Sequence, residues 1–120
     1  MRKSVLIPVL ACLPLAAATQ PYSESMADCA AQFQNAAQWM RDADRADALI
    51  ARTRIWHGAA VAQSAREGRK TSDDAMWAKV DAKTEALEAK GGMYFFSEEF
   101  RDWTAYCRSF AKHTGVPDIP

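Results

Sequence analysis

The stretch MADCAAQFQNAAQWM, residues 26–40, decides the fold of this chain. Its apolar residues recur at steps of three and four, which is the spacing of one face of an α-helix. They predict a first helix over about 24–42 whose apolar face packs on a core. The residues on this stripe are Met26, Cys29, Ala30, Phe33, Ala36, Ala37 and Met40.

Three more amphipathic stretches follow along the chain. Glycines and N-cap residues mark where each of them begins or ends. No alternating strand pattern occurs in the sequence, so the predicted class is all-α. The stretches run from Asp44 to Glu67 before Gly68, from Thr71 or Ser72 to Gly91-Gly92, and from Ser97 to Gly115.

The boundary between the first two helices is the weakest part of this pattern. No Gly or Pro lies between Met40 and Leu49, and the apolar spacing nearly continues through the segment. Aspartates interrupt it, and Asp44 is suited to be the N-cap of a second helix. A turn here predicts a small up-down-up-down four-helix bundle. The alternative is that helices one and two form one long helix from Glu24 to Gly68.

Cys29 and Cys107 lie near opposite ends of the predicted domain. An even pair of cysteines in a small exported chain indicates a disulfide. In the predicted bundle the fourth helix runs antiparallel to the first, so its C-terminal half lies beside the first turns of helix one. The Cys29–Cys107 pairing and the topology therefore support each other.

Residues 1–18 have the pattern of a secretory signal peptide. Arg2 and Lys3 form a short positive segment, and an uncharged apolar run follows that is too short for a membrane span of roughly 20 residues. Small residues at its end favour cleavage after Ala18. We expect a periplasmic or secreted protein without a membrane span after cleavage. A lipoprotein acylated at Cys12 is the alternative use of the same segment.

Cleavage would leave residues 19–23 as a flexible N-terminus, 24–115 as one helical domain and 116–120 as a tail. The chain has 15 basic residues, of which Arg2 and Lys3 would be lost, so 13 would remain against 15 acidic residues, a net charge of −2. The two signs are interspersed, and no basic face is evident. Binding to nucleic acid is therefore not expected.

Catalytic motifs are missing from the sequence. It contains no GxSxG, no HExxH, no glycine-rich phosphate loop and no CxxCH for covalent haem attachment. The acidic residues Asp42, Asp44 and Asp47 lack the glycine and the spacing of a calcium loop, so capping and solvation account for them. We predict a protein that is not an enzyme and that holds no cofactor.

Two histidines and a methionine leave a cofactor hypothesis open. Met26 lies at the start of helix one and His113 at the end of helix four, and these ends are neighbours in an antiparallel bundle. A Met/His pair placed in this way resembles the axial haem ligation of the cytochrome b562 family. That resemblance implies a noncovalent haem site at these two residues. Copper bound through Met and His side chains is a related alternative, and His57 is the third candidate ligand.

Half of the aromatic residues of the chain lie between Tyr94 and Tyr106. Three of these six lie on one face of the fourth helix: Phe100 and Trp103 are expected in the core, and Tyr106 at its margin. Met93, Tyr94, Phe95 and Phe96 instead occupy the connection before that helix, and they form the candidate interaction surface. The predicted function is that of an exported interaction or accessory protein with a protein partner in the cell envelope. The alternative is a helical bundle that binds a small molecule, haem or copper.

Overall fold

The computed structural model describes residues 20–118, and every regular element in that range is helical. The predicted all-α class with separate helices is confirmed. The signal peptide, cleavage after Ala18 and acylation at Cys12 lie outside the described residues. The elements are α1 (Tyr22–Gln38), α2 (Ala43–Arg66), α3 (Asp73–Glu88), a short 3-10 helix (Gly92–Phe96) and α4 (Glu98–Thr114).

The first turn of α1 lies inside the segment that the sequence marks as flexible. This turn is helical in the structure, and the end of α2 supplies hydrogen-bond acceptors to it. The backbone N–H and the hydroxyl of Ser23 both donate to the carboxylate of Glu67. Pro21 at the cap position makes no side-chain hydrogen bond, so Glu67 satisfies a backbone donor that would otherwise lack a partner. The N-terminus of α1 is thereby anchored on α2.

The connection between α1 and α2 is a turn, so the alternative of one long helix is wrong. The backbone N–H groups of Trp39 and Met40 make the tighter bonds to carbonyls three residues back that end a helix. Met40 therefore lies outside the helix and is exposed, which corrects its assignment to the buried stripe. The N-cap of α2 is Asp42 rather than Asp44, because the Asp42 carboxylate accepts the N–H groups of Asp44 and Arg45.

The helices follow the predicted up-down-up-down order. The short turn at residues 39–42 makes α2 antiparallel to α1. Contacts between α1 and α3 advance in the same direction along both helices, from the Glu24–Lys79 ion pair to the Asp28–Lys83 ion pair. These two helices are therefore parallel, as alternate helices of an up-and-down bundle must be.

The predicted disulfide joins Cys29 of α1 to Cys107 of α4, and the two Cα atoms are 5.8 Å apart. Both cysteines are fully buried. Tyr22, which precedes Cys29, packs edge-on against Phe110, which follows Cys107, so the two helices run antiparallel. Phe110 also stacks on Trp56 of α2, with ring centroids 5.8 Å apart. The crosslink and this stack hold α4 against the other helices.

The central element of the bundle is α1, because α2, α3 and α4 each pack against it. Its alanines have small side chains, so these neighbours approach closely. The sequence pattern predicted one apolar stripe, and the burial of polar side chains on α1 corrects it: these are Ser23, Ser25, Gln32 and Asn35. The buried apolar core consists of Met26, Ala27, Cys29, Ala30, Ala31, Trp56, Ala60, Met76, Val80, Cys107, Phe110 and Ala111.

Candidate functional site

The connection between α3 and α4 is an ordered 3-10 helix that is fixed at both ends. Gly91 precedes it with φ of 76°, a left-handed conformation that glycine adopts without strain. The Gly91 carbonyl accepts the N–H of Tyr94 at 3.2 Å, and the Tyr94 carbonyl accepts the N–H of Ser97 at 3.0 Å. The Ser97 hydroxyl then accepts the N–H of Phe100 at 3.1 Å and caps α4. These hydrogen bonds connect the 3-10 helix to the turn before it and to the first turn of α4.

Tyr94 anchors the 3-10 helix to the core. Its side chain is only 4% exposed, and its hydroxyl donates to Oε1 of Gln32 on α1 at 3.0 Å. Burial raises the pKa of the Tyr94 phenol. Lys90 Nζ lies 5.4 Å from the ring centroid and covers its outer side. Tyr94 was one of four residues in the candidate interaction surface, and the structure places it inside.

Met93 and Phe96 point away from the bundle on the same short helix. Their exposed fractions are 75% and 76%, the highest of the large apolar residues in the described chain. Phe95 is intermediate, because its ring packs edge-on against Phe100 with centroids 5.1 Å apart. Two of the four predicted surface residues are therefore mostly exposed to solvent, and a third is partly exposed.

The C-terminal end of α1 adds apolar area beside these residues. The Trp39 ring lies over the backbone of Gly92: a Cβ added to this glycine would be 3.3 Å from the indole. Trp39 also contacts the Phe95 ring at 6.0 Å between centroids, and it remains 48% exposed. The apolar end surface is defined here as Trp39, Met93, Phe95 and Phe96. Sequence reasoning missed Trp39, because nothing local indicates that α1 ends beside the 3-10 helix.

A groove of about 340 Å³ continues from the apolar end surface along α4. Arg101 Nη1 donates to the backbone carbonyl of Phe96 at 3.2 Å, which holds the guanidinium at the rim. Arg108 forms no ion pair with any residue from 20 to 118. The groove therefore combines aromatic walls with positive charge. Its lining residues are Phe95, Phe96, Phe100, Arg101, Thr104, Ala105 and Arg108.

The candidate cofactor ligands are engaged in other contacts. His57 stacks on Trp77 with ring centroids 3.9 Å apart, and its Nε2 lies 3.0 Å from the carbonyl oxygen of Asp73. His113 Nε2 hydrogen-bonds the hydroxyl of Tyr22 at 3.1 Å, and Met26 is packed in the core. Within residues 20–118 no three His, Cys, Asp or Glu residues are grouped closely enough to hold a metal ion. The geometry gives these histidines structural contacts.

A second cleft, of about 310 Å³, lies between the N-terminal half of α1 and α4. It is called the α1–α4 cleft below. Its residues come from both ends of the chain, so no local sequence pattern could have indicated it. They are Gln20, Ser25, Asp28, Asp102, Trp103 and Tyr106.

Comparison with known proteins gives no relative whose function could guide the interpretation of this structure. A scan against protein-family models and searches of the curated proteins and the solved structures found no match to this chain. None of the helices in residues 20–118 has the length and apolar character needed to cross a membrane. A function must therefore be argued from the surfaces described above.

Proposed function

We propose that this is an exported, non-enzymatic interaction protein that binds a protein partner of the cell envelope through the apolar end surface. The observation that carries the proposal is the exposure of Met93 and Phe96, at about three quarters each, on a helix that Tyr94 fixes to the core. The buried disulfide is compatible with an extracellular or periplasmic location.

The apolar end surface has the composition of an interface core. Large contiguous patches of exposed apolar side chains are uncommon on monomeric proteins and mark sites of interaction. Aromatic residues and Met are enriched at the centres of protein interfaces. The 3-10 helix is already ordered by the contacts of Tyr94 and Ser97, so a partner would immobilise little backbone on binding. Such preorganisation raises affinity because the entropy cost of ordering has been met in folding.

The groove next to this surface indicates the chemistry of the partner. Phe96 and Phe100 offer apolar walls, and Arg101 and Arg108 offer guanidinium groups on the same side of α4. Guanidinium groups bind carboxylates with two parallel hydrogen bonds in favourable geometry. The complementary segment is one in which a large apolar side chain lies beside an Asp or a Glu.

Site-specific photocrosslinking in the cell envelope tests this proposal. A photoreactive phenylalanine at position 96 should give one dominant adduct, and the same group at Ala78, an exposed position on α3, should not give it. The adduct is then identified, and the purified partner is titrated against the wild-type protein by calorimetry. Phe96→Ser and Arg108→Glu should each weaken binding by about tenfold or more, and Ala78→Ser should leave it unchanged.

Two outcomes would contradict the proposal. One is the same set of adducts from positions 96 and 78, which would mean random collision. The other is a purified partner that binds wild type, Phe96→Ser and Arg108→Glu with equal affinity, which would place its contact elsewhere on the protein.

A further inference from the structure

The α1–α4 cleft lies at the opposite end of α1 from the apolar end surface and has aromatic walls of its own. Trp103 and Tyr106 pack edge to face, with centroids 5.5 Å apart and planes at 90°, so the two rings form a corner. Tyr106 is exposed, and one face of its ring stacks on Phe110. The volume of about 310 Å³ is at the lower end of the range for small-molecule sites.

Two carboxylates complete the lining of this cleft. Asp28 is held in place from two sides, since Gln20 Nε2 donates to its Oδ2 at 2.9 Å and Lys83 contacts its Oδ1 at 2.8 Å. Asp102 is exposed and makes no hydrogen bond or ion pair with its side chain to any residue from 20 to 118. In this cleft the negative charge of Asp28 is therefore paired with Lys83, whereas the negative charge of Asp102 has no paired cation among residues 20–118.

The disulfide fixes the two walls relative to each other. Asp28 directly precedes Cys29, and Tyr106 directly precedes Cys107, so the crosslinked residues adjoin one lining residue on each helix. The disulfide therefore restricts the distance between Asp28 on α1 and the two aromatic rings on α4, whereas Asp102 lies on the same helix as those rings. A site whose spacing is fixed in this way needs little rearrangement to bind a ligand.

We propose that the α1–α4 cleft binds a quaternary ammonium group. The faces of Trp and Tyr rings attract cations through the ring quadrupole, and quaternary ammonium ligands use such rings because they have no N–H to donate. Asp102 supplies the opposite charge at the rim. A neutral ligand of the same shape gains neither contribution. The ammonium group can belong to a free small molecule or to a lipid headgroup, and both present the same trimethylated cation.

NMR titration of the purified, oxidised protein tests the proposal. The indole N–H signal of Trp103 is followed during addition of choline, with 3,3-dimethyl-1-butanol as the uncharged isostere. Choline should shift this signal saturably, and the alcohol should bind at least about tenfold more weakly. Tyr106→Leu should lower the choline affinity about tenfold and Asp102→Asn about fivefold. Asp47→Asn, an exposed carboxylate change on α2, should leave it unchanged.

Vesicles distinguish the two sources of the cation. Cosedimentation with phosphatidylcholine vesicles but not phosphatidylglycerol vesicles, reversed by free choline, assigns the site to a lipid headgroup. Choline binding without cosedimentation assigns it to a free solute, and either result supports an ammonium site. The proposal is overturned if no shift of Trp103 occurs with choline or either vesicle, if the alcohol binds as tightly as choline, or if folded Asp102→Asn and Tyr106→Leu proteins bind like wild type.

Discussion

The two ends of α1 are built differently. At its N-terminal end, α1 is bonded to its neighbours by charged and polar groups: Glu67 accepts both donors of Ser23, and Glu24 contacts Lys79. Desolvation raises the pKa of Glu67, but the hydrogen bonds from Ser23 and Gln63 outweigh it and hold the pKa below its ordinary value. At its C-terminal end, α1 stops at a turn beside exposed apolar rings. The polar side chains at the N-terminal end are engaged in contacts within the protein. The apolar side chains at the C-terminal end are exposed and can contact a partner.

The contacts that stabilise the fold and the side chains that are exposed for binding therefore lie in different parts of one small domain. The crosslink, the Trp56–Phe110 stack and the ion pairs between α1 and α3 all lie toward the N-terminal half of α1. The 3-10 helix depends on fewer contacts, chiefly the buried hydroxyl of Tyr94. Changes at the N-terminal half should therefore alter the free energy of unfolding, whereas changes to Met93 and Phe96 should alter binding alone.

The largest expected effect is loss of the crosslink. Cys107→Ser should lower the free energy of unfolding by about 2–4 kcal/mol, because the disulfide no longer restricts the unfolded chain and a core position becomes polar. Urea denaturation of oxidised wild type and the variant measures it. Wild type treated with a reductant is the matched control and should fall by a similar amount. Equal unfolding midpoints for the oxidised and reduced proteins would show that the crosslink does not stabilise the bundle.

A smaller change in the free energy of unfolding is expected for substitutions in the 3-10 helix, and it should differ between Tyr94 and Phe96. Tyr94→Phe removes the donor to Gln32, whose side chain is buried, and should cost about 1–2 kcal/mol in the free energy of unfolding. Phe96→Ser changes an exposed ring and should stay within about 0.5 kcal/mol of wild type. Urea denaturation of both variants makes the comparison. If Phe96→Ser were the more destabilising change, the exposed ring would be structural and the proposed surface would lose its basis.

Much of the fold could be predicted because its signals are local. Apolar residues at helical spacing, N-cap residues and glycines at helix ends indicated four helices, and the topology placed Cys29 beside Cys107. The burial of polar residues on α1 could not be predicted in this way. A stripe shows one buried face, whereas α1 is covered by three neighbours, so Gln32 and Asn35 are buried without any apolar signal.

The candidate site was predicted as a segment but not in its details. A run of four apolar residues in a connection indicates an unusual surface, yet it does not show which side chains point inward. Tyr94 points inward because Gln32, distant in the sequence, offers an acceptor for its hydroxyl. Trp39 joins the surface because Gly92 has no side chain to keep the indole away. Both facts depend on how α1 packs against the 3-10 helix, and no short stretch of sequence contains them.

The smallest expected effect concerns the charged end of α1. The hydrogen bond from Lys79 lowers the pKa of Glu24 below its ordinary value of 4.5, and it outweighs partial burial, which acts in the opposite direction. The folded protein therefore binds fewer protons at Glu24 than the unfolded chain does. The contribution of Glu24 to stability is complete above about pH 4.5 and is lost as the pH falls through the lowered pKa. Because Glu24 and Lys79 are partly exposed, this contribution is below about 1 kcal/mol.

Urea denaturation at pH 7 and at pH 3.5 measures this contribution. Glu24→Gln should be slightly less stable than wild type at pH 7, and the difference should be smaller at pH 3.5, so the variant has the weaker pH dependence. Asp47→Asn, which changes an exposed carboxylate at the other end of the bundle, should follow the wild-type pH dependence. If Glu24→Gln and wild type lost the same stability on acidification, the ion pairs of Glu24 with α3 would contribute nothing measurable. The contrast between the two ends of α1 would then rest on the disulfide and on the contacts of Glu67 with Ser23.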